Sequence, residues 1–496
     1  MSLHLFRKHM TTLLVALALA LAGCASVRGL HTHATAGDPD RVDAAQSLSN
    51  VAFSPAAWPH EAWWTDLGDT QLDRIIADAL SGQPGLRIAE ARVRQAQAVA
   101  GVVGASLYPQ ANASLRSTRQ RFSEDGTVPP PIAGSWQTIN DLSLGLNYEL
   151  DFWGKNRAAV NAELGRTHAA EVDLQAARLM LATALSRTYL RLDQAYAQRD
   201  LARDTLKQRE QILELTRRRV AAQIDSQLEL TQAEAALPAT RERIAVLDES
   251  IALLGNQLAA LQGKGPDAGL AIRRPQLAAV GAVSLPSNLP AELIGRRPDV
   301  VADRWRVEAA SQDIAVAKAH FYPNISLNAL VGLQSLGFDN FLDAGSRVLG
   351  IGPAISLPIF DGGRLRGNLG VRQAGYDAAV EHYNATVIAA VHDVVDQLVS
   401  LHWLQEQVQQ QDQALQLSQR AYGLAQARYR SGLANYLQVL SAETQVLAQK
   451  QLMIASQSRQ RELRLNLIRA LGGGYRPVAV PPPANVAQTR TSGSKS

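Results

Sequence analysis

Two hydrophobic periods divide this chain. In LSLGLNYEL (142–150), Leu142, Leu144, Leu146, Tyr148 and Leu150 occupy every second position, with Ser143, Gly145, Asn147 and Glu149 between them. A period of two marks a strand with unlike faces. The same alternation places Ala111, Ala113 and Leu115 opposite Asn112, Ser114 and Arg116. It places Ile325, Leu327, Ala329, Val331 and Leu333 opposite Asn324, Ser326, Asn328 and Gly332, and sets Ile351, Ile355, Leu357 and Ile359 against Gly352, Ala354 and Ser356. Each run is close to the ~9–11 residues of a membrane β-strand. After Phe152-Trp153-Gly154 the alternation stops. Arg157 to Val220 has no proline and Gly165 as its one glycine, which predicts a helix roughly 100 Å long at about 1.5 Å per residue. Ala434 to Leu471 has neither Gly nor Pro. There Leu433, Leu437, Leu440, Thr444, Leu447, Gln451 and Ile454 follow a heptad spacing, weakened at Thr444 and Gln451.

The chain is written twice. Pro84 recurs as Pro298, Tyr108-Pro109 as Tyr322-Pro323, Gly154 as Gly363, Ala233-Glu234 as Ala442-Glu443, and Gly263 as Gly472. RVAAQIDSQLEL from Arg219 aligns with RYRSGLANYLQV from Arg428. One length difference, in the Gly/Pro-rich loop RFSEDGTVPPPIAGSWQ, reconciles these pairs. Each copy reads helix, two strands, then two long helices joined by a short turn and so antiparallel. Predicted boundaries are 1–23 for a signal peptide, 24–68 for an N-terminal extension, 69–263 for repeat 1, 264–290 for a Pro/Gly linker, 291–475 for repeat 2, and 476–496 for a tail whose composition predicts disorder.

Composition adds little to this. Charge is nearly balanced, with 49 basic and 45 acidic residues and a net +4, so nothing argues for nucleic acid. The N-terminus adds more: Arg7, Lys8 and His9 precede the short apolar run TTLLVALALAL and then Leu21-Ala22-Gly23-Cys24. This has the layout of a secretory signal. Leu-Ala-Gly-Cys resembles the bacterial lipobox, which implies lipidation of Cys24, the single cysteine. Ala25, where Asp would retain a lipoprotein in the inner membrane, points to the outer membrane. Elsewhere no apolar run approaches the ~20 residues of a membrane helix.

A soluble sheet packed on helices would also alternate. Aromatic placement favours a membrane. Tyr108, Phe321 and Tyr322 start strands, and Phe152, Trp153 and Phe360 end them. Phe122, Trp136, Phe338 and Phe341 sit at the opposite, loop rim. Two girdles around an apolar band are the layout of an outer-membrane barrel. Four strands cannot close one, since about eight are needed and open edges are not tolerated in lipid. Several chains must share the barrel, and three give twelve strands.

No Walker loop, HExxH motif or candidate nucleophilic cysteine is present, and His382, His392 and His402 do not share a helix face as metal ligands would. No catalytic residue, metal or cofactor is assigned, and an enzyme is not expected. Arg217, Arg218 and Arg219 read as a solvated helix end, where cations favour the dipole. In Arg297-Pro298-Asp299, Pro298 opens a helix and Asp299 suits its N-terminus.

With Arg297-Pro298-Asp299-Val300, AKAHFYPNISL, LPIFDGGRLRG, RYRSGLANYLQVL and IRALGGG in this order, residues 60–475 resemble the outer-membrane channels of tripartite drug-efflux pumps, TolC-like, in their lipoprotein branch. The resemblance implies a mainly α fold with a membrane β-barrel: a homotrimer with a twelve-stranded barrel and a coiled-coil periplasmic tunnel. It implies docking to a periplasmic adaptor and an inner-membrane transporter. It places a periplasmic gate at Leu437, Ser441, Arg428, Tyr429 and Arg219. It places adaptor-contact tips at Gln223, Ile224, Asp225, Ser431, Gly432 and Leu433. Ser441 stands where relatives often carry Asp, and Gln223 where the second copy has Gly432. Leu437 is equally a coiled-coil core position. Protein secretion through the same channel class, or a lipid-anchored coiled-coil adaptor without a pore, are the alternative functions.

Overall fold

The computed structural model describes residues 29–37, 58–279 and 295–476. Cys24, linker residues 280–290 and the tail beyond Arg476 lie outside them. After a 3-10 turn at Trp63–Leu67 come α1 (Thr70–Gly82), α2 (Pro84–Gly104), β1 (Gln110–Arg121), β2 (Trp136–Glu149), α3 (Lys155–Ala221), α4 (Gln227–Leu261) and the short α5 (Asp267–Leu270). Then follow α6 (Pro298–Ala319), β3 (Asn324–Leu336), β4 (Arg347–Ser356), α7 (Arg364–Arg430) and α8 (Tyr436–Ala470). The sequence reading missed α1, although its signals are present. Asp69 caps it by accepting from the Gln71 amide, and Leu72, Ile75, Ile76 and Ala79 make one buried stripe.

The four strands form one antiparallel sheet in the order β1-β2-β3-β4. Its register gathers the alternating apolar residues on a single face. Leu115 pairs with Leu142 and Ala113 with Leu144; Leu144 pairs with Val331 and Leu142 with Leu333; Val331 pairs with Leu349 and Ala329 with Ile351. Directly paired residues share a face, so Asn112, Ser114, Ser143, Asn147, Asn328 and Gly352 occupy the other. That face carries its own hydrogen bonds, Ser114 to Ser143 at 2.8 Å and Asn147 Nδ2 to Asn328 Oδ1 at 2.6 Å. Nothing among the described residues covers the apolar face: Leu115, Leu349, Ile351 and Ile355 are all more than two-thirds exposed.

At the helix end of the sheet Trp153 stacks on Tyr322 with ring centroids 4.8 Å apart and donates to the Pro323 carbonyl. Tyr108, Phe152 and Phe360 are exposed beside the strands. Phe321 departs from the expected girdle. It is buried with Ile314, Leu365 and Leu369, because the turn after α6 aims it at the helices while Tyr322 points outward.

The change from strand to helix rests on a carboxylate and a glycine. Asp151 accepts the amides of Asn156 and Arg157 at 3.1 and 2.9 Å, and Asp361 accepts those of Gly363 and Leu365 at 3.0 and 2.9 Å. Gly154 and Gly363 make the corner at φ +73° and +88°, where a side chain would be strained. The anions satisfy free amides at the positive end of each helix. From there α3 and α7 each run 67 residues, while α4 and α8 return for 35 each.

The helices close around small residues and buried ion pairs. A Cβ on Gly165 would lie 3.1 Å from that of Ala309, so α6 rests directly on α3. The three glycines of LGGG have positive φ, and a Cβ on each would collide with the Arg296 carbonyl, Leu179 or the His60 backbone. Arg297 is buried and bonds Asp299, Asp393 on α7 and the Ala470 carbonyl ending α8, a wider role than opening one helix. Residues 30–37 run along α7: His33 and Ala34 donate to Asp377, Gly37 donates to Asn384, and Leu30 packs beside Phe321 and Leu365.

Two findings correct the helix reading. Helices α4 and α7 hold stretches of mean hydropathy 1.3 and 1.2, apolar enough by composition to cross a membrane. Both are Ala-rich members of helical hairpins, which accounts for that hydropathy. The buried seam of α8 is Tyr436, Val439, Glu443 and Val446, not the Leu433/Leu437 series. Leu433 and Leu437 are 70% and 58% exposed, because the helix turns its other stripe toward its own chain.

The two sheet faces predict opposite costs. Leu144→Arg is expected to lower the stability of the membrane-inserted protein by about 2–4 kcal/mol near the midplane, and Asn147→Arg is expected to be nearly silent for assembly. Unfolding titrations in lipid vesicles measure both; equal losses would show that the faces share one solvent.

Candidate functional site at the hairpin tips

Both long hairpins turn with the same backbone device. Gly432 has φ +75°, and Gln223 has φ +58°, the one non-glycine residue with positive φ among those described. The amides after them reach back to carbonyls of the preceding helix, Ile224 to Arg219 at 2.9 Å and Leu433 to Arg428 at 2.8 Å, as in a Schellman motif. Gln223 carries a strain of about 1–2 kcal/mol that glycine would not. In α4, Ser226 and Glu229 then form a capping box.

The turns are tied together by a buried charge cluster. Arg219, at the end of α3, forks onto Asp225 with Nε–Oδ2 2.8 Å and Nη2–Oδ1 3.0 Å. Its Nη1 donates to the Tyr429 carbonyl at 2.8 Å, and its guanidinium lies 4.4 Å from the Tyr429 ring centre. The Tyr429 hydroxyl donates to Asp225 Oδ2 at 2.6 Å and lies 2.9 Å from Thr216 Oγ1. Arg219 and Asp225 side chains are 9% and 7% exposed, and Tyr429 is 1% exposed. The end of the first hairpin is thereby fastened to the end of α7.

The titration of these groups follows from the geometry. The bond from Arg219 holds the Asp225 carboxyl below the usual carboxylate range, against the opposing effect of burial. Asp225 in turn raises Arg219. Burial, then the bond to Asp225, pushes Tyr429 up to about 12, so its hydroxyl stays a donor at neutral pH.

A second tie lies further from the tip. Arg209 on α3 donates to Glu443 on α8 at 3.1 and 3.2 Å, and to Thr240 Oγ1 and the Ala236 carbonyl on α4 at 2.8 and 3.2 Å. Glu443 is 3% exposed. Around the two ties pack Ile212, Leu213, Leu237, Tyr436 and Val439.

The structure brings together Arg219, Asp225 and Tyr429 from the sequence-predicted set. Asp225, expected among the outward tip residues, is instead the buried anion of the cluster, and Arg219 is not solvated as Arg217 and Arg218 are. Arg428, Leu437 and Ser441 are exposed and do not join the cluster. Gln223, Ile224, Ser431, Gly432 and Leu433 are exposed at the turns. Thr216, Arg209 and Glu443 escaped sequence reasoning. The available signal was the repeated Ala-Glu pair, which marks Glu443 as equivalent to Glu234. Among the described residues no cluster of three His, Cys, Asp or Glu side chains could hold a metal ion.

A one-sided sheet continued by paired helices tens of ångströms long is the architecture of an outer-membrane channel subunit. The family model described as outer membrane efflux protein matches residues 75–264 and 289–473, and the chain belongs to that family. It is 42% identical over 364 residues to the fusaric acid resistance protein FusA of Burkholderia cepacia, covering 73% of this chain and 68% of that one. It is 30% identical over 463 residues to the multidrug resistance outer membrane protein MdtP of Escherichia coli K12, covering 92% and 94%. The crystal structure of the outer membrane protein VceC from Vibrio cholerae superposes with a TM-score of 0.80 at 37% identity, over 84% of this chain and all of that one. The protein is an outer-membrane efflux duct, a transporter and not an enzyme.

The tip cluster generates one prediction. Asp225→Ala leaves Arg219 buried and unpaired, a loss of about 3–5 kcal/mol, and is expected to raise single-channel conductance. The Asp225 pKa is depressed on folding, so its contribution is full above the unfolded value of 3.8 and is lost as pH falls through the lower folded value. Wild-type conductance is expected to be insensitive to this group from pH 5 to 8 and to rise only below about pH 4. Bilayer recordings across that range measure both effects.

Proposed function

We propose that three copies of this chain close a twelve-stranded barrel and continue it as a helical tunnel, forming the passive exit duct of a tripartite efflux pump. The observation that carries this reading is the sheet itself: β1 and β4 are open edges beside an uncovered apolar face, and lipid accepts neither a free edge nor a four-stranded barrel. Two separate family matches and equal helix lengths support two internal repeats, 69–263 and 291–475.

The gate is the tip. Leu437 and Ser441 lie on the α8 stripe that the described residues leave uncovered, so a ring of three Leu437 would narrow the duct. The Arg219–Asp225–Tyr429 cluster would hold the hairpins in that closed arrangement, with Arg428 beside it. Gln223, Ile224, Ser431, Gly432 and Leu433 are the surface offered to a periplasmic adaptor. Adaptor binding opens the duct only by favouring the splayed state over the closed one; the inner-membrane transporter supplies the energy. Cys24 is the lipid anchor. Leu30 packs near the membrane end of α7, and the six residues back to Cys24 reach about 20 Å, enough to place an acyl chain in the membrane. The likeness to FusA makes fusaric acid the first cargo to try.

The test is reconstitution of purified protein. A mass of three chains, a conducting pore, and fusaric acid or drug susceptibility on gene deletion are the expected results; a non-conducting monomer overturns the reading. Leu437→Ala is expected to raise conductance, and Ser441→Asp to make it sensitive to divalent cations. Unchanged conductance in Leu437→Ala would place the constriction elsewhere. Mass spectrometry of the mature protein is expected to find acylation at Cys24, and a different, unmodified N-terminus would remove the anchor.

A further inference from the structure

The apolar face of the sheet is not apolar to its end. Continuing the register past Leu115, positions 117, 119 and 121 of β1 share its face, pairing with Asn140, Thr138 and Trp136. At the start of β4, Arg347 pairs with Leu333 and so lies on that face too. The face therefore ends, at the loop rim, in Arg119, Arg121 and Arg347. The acidic strand residues, Asp141 and Glu149, are on the opposite face, as is Arg116. Arg121 is half-exposed and bonds Glu124 at 2.6 Å. Arg119 and Arg347 are exposed and have no ion-pair partner among the described residues. At its helix-side end the same face carries Tyr148, paired with Leu327, and no arginine among the strand residues.

Arg119 and Arg347 sit on the two edge strands, at opposite sides of one sheet. Antiparallel closure of β4 against β1 of the next copy, the barrel reading on which this inference rests, would bring the loop ends of both strands together. Each seam would then hold Arg119 and Arg121 from one copy beside Arg347 from its neighbour.

We propose that these seams bind the phosphorylated headgroup of a glycolipid in the outward leaflet of the outer membrane. The chemistry required is specific. The cations are flush with the apolar band, with Leu333 beside Arg347 and Leu115 below Arg119, so the ligand must carry anionic groups directly above acyl chains. Guanidinium forks match phosphate oxygens in a bidentate manner. An arginine at the interface costs far less than one at the midplane, so this rim is where the sheet accommodates cations cheaply. Trp136, 62% exposed on the same face, offers a ring at headgroup level. The seam site exists only in the assembly, since no single chain brings Arg347 to Arg119.

The test uses the full-length protein reconstituted in vesicles containing a bisphosphorylated, acylated glucosamine disaccharide or its dephosphorylated form. Lipid retained by the purified oligomer is counted by native mass spectrometry. The wild type is expected to retain the phosphorylated form selectively. Arg119→Gln and Arg347→Gln are each expected to lower retention about fivefold, with oligomer mass and conductance unchanged, while Arg116→Gln on the opposite face retains lipid as the wild type does. Conducting trimers that retain both lipid forms equally would overturn the proposal and leave the barrel reading standing. Equal loss from Arg116→Gln would overturn it as well, by showing a general charge effect. If Arg119→Gln does not assemble, Arg347→Gln alone is read in the same way. Failure of the wild type to form conducting oligomers would instead remove the barrel reading, and this site with it.

Discussion

A backbone amide or carbonyl without a partner cannot remain in hydrocarbon, and this chain carries two strand edges full of them. The sheet ends at β1 and β4 with its polar groups unpaired, beside a face of leucine, isoleucine and valine that none of the described residues covers. Each unsatisfied group would cost several kcal/mol in lipid, far beyond what a domain's net stability can absorb. The fold of one copy is thus an incomplete object. On the trimer proposed above, its edges, its apolar face and the uncovered stripe of α8 are complements to other copies and to the membrane.

The helical part answers a different constraint. In the proposed tunnel its solvent is water on both sides, so two hairpins must stay registered over a great length with thin cores. Small contacts allow close approach, as at Gly165 and Ala309. Charged ties then fix which helix meets which. Arg209 with Glu443 and Arg297 with Asp393 each join elements far apart in sequence. Buried pairs are a weak source of net stability, because desolvation offsets their attraction. Breaking one is costly, which makes them suited to holding a particular arrangement. At the tip, the buried pair of Arg219 and Asp225 follows the same logic, a fastening that is firm until its geometry is pulled apart.

Much of this was legible in the sequence because the signals are periodic and local. Alternation gave all four strands and their faces, since side-chain direction in a strand depends only on parity, but it ran too far in the fourth, where β4 ends at Ser356, short of Leu357 and Ile359. The scarcity of Pro and Gly gave α3 and α8, and the plan repeated between the two copies gave their partners α4 and α7, which hold Pro238 and four glycines respectively. Phe152-Trp153-Gly154 marked the corner, where the structure adds the carboxylate caps from Asp151 and Asp361. The missed helix α1 had a readable cap and stripe.

What the tertiary structure decided were relations between distant residues. Asp225 looked like one more exposed turn residue, Arg219 like a solvated helix end, Phe321 like a girdle aromatic, and Leu433 and Leu437 like a buried seam. Each assignment depends on which neighbouring element covers that side of the residue. Helical periodicity tells which residues share a stripe, but a helix in a hairpin has more than one stripe able to be buried, and only packing selects among them. Parity in the strands determined two faces outright; rotation of α8 about its own axis was left to Tyr436, Val439 and Glu443, whose partners lie on other helices of the chain.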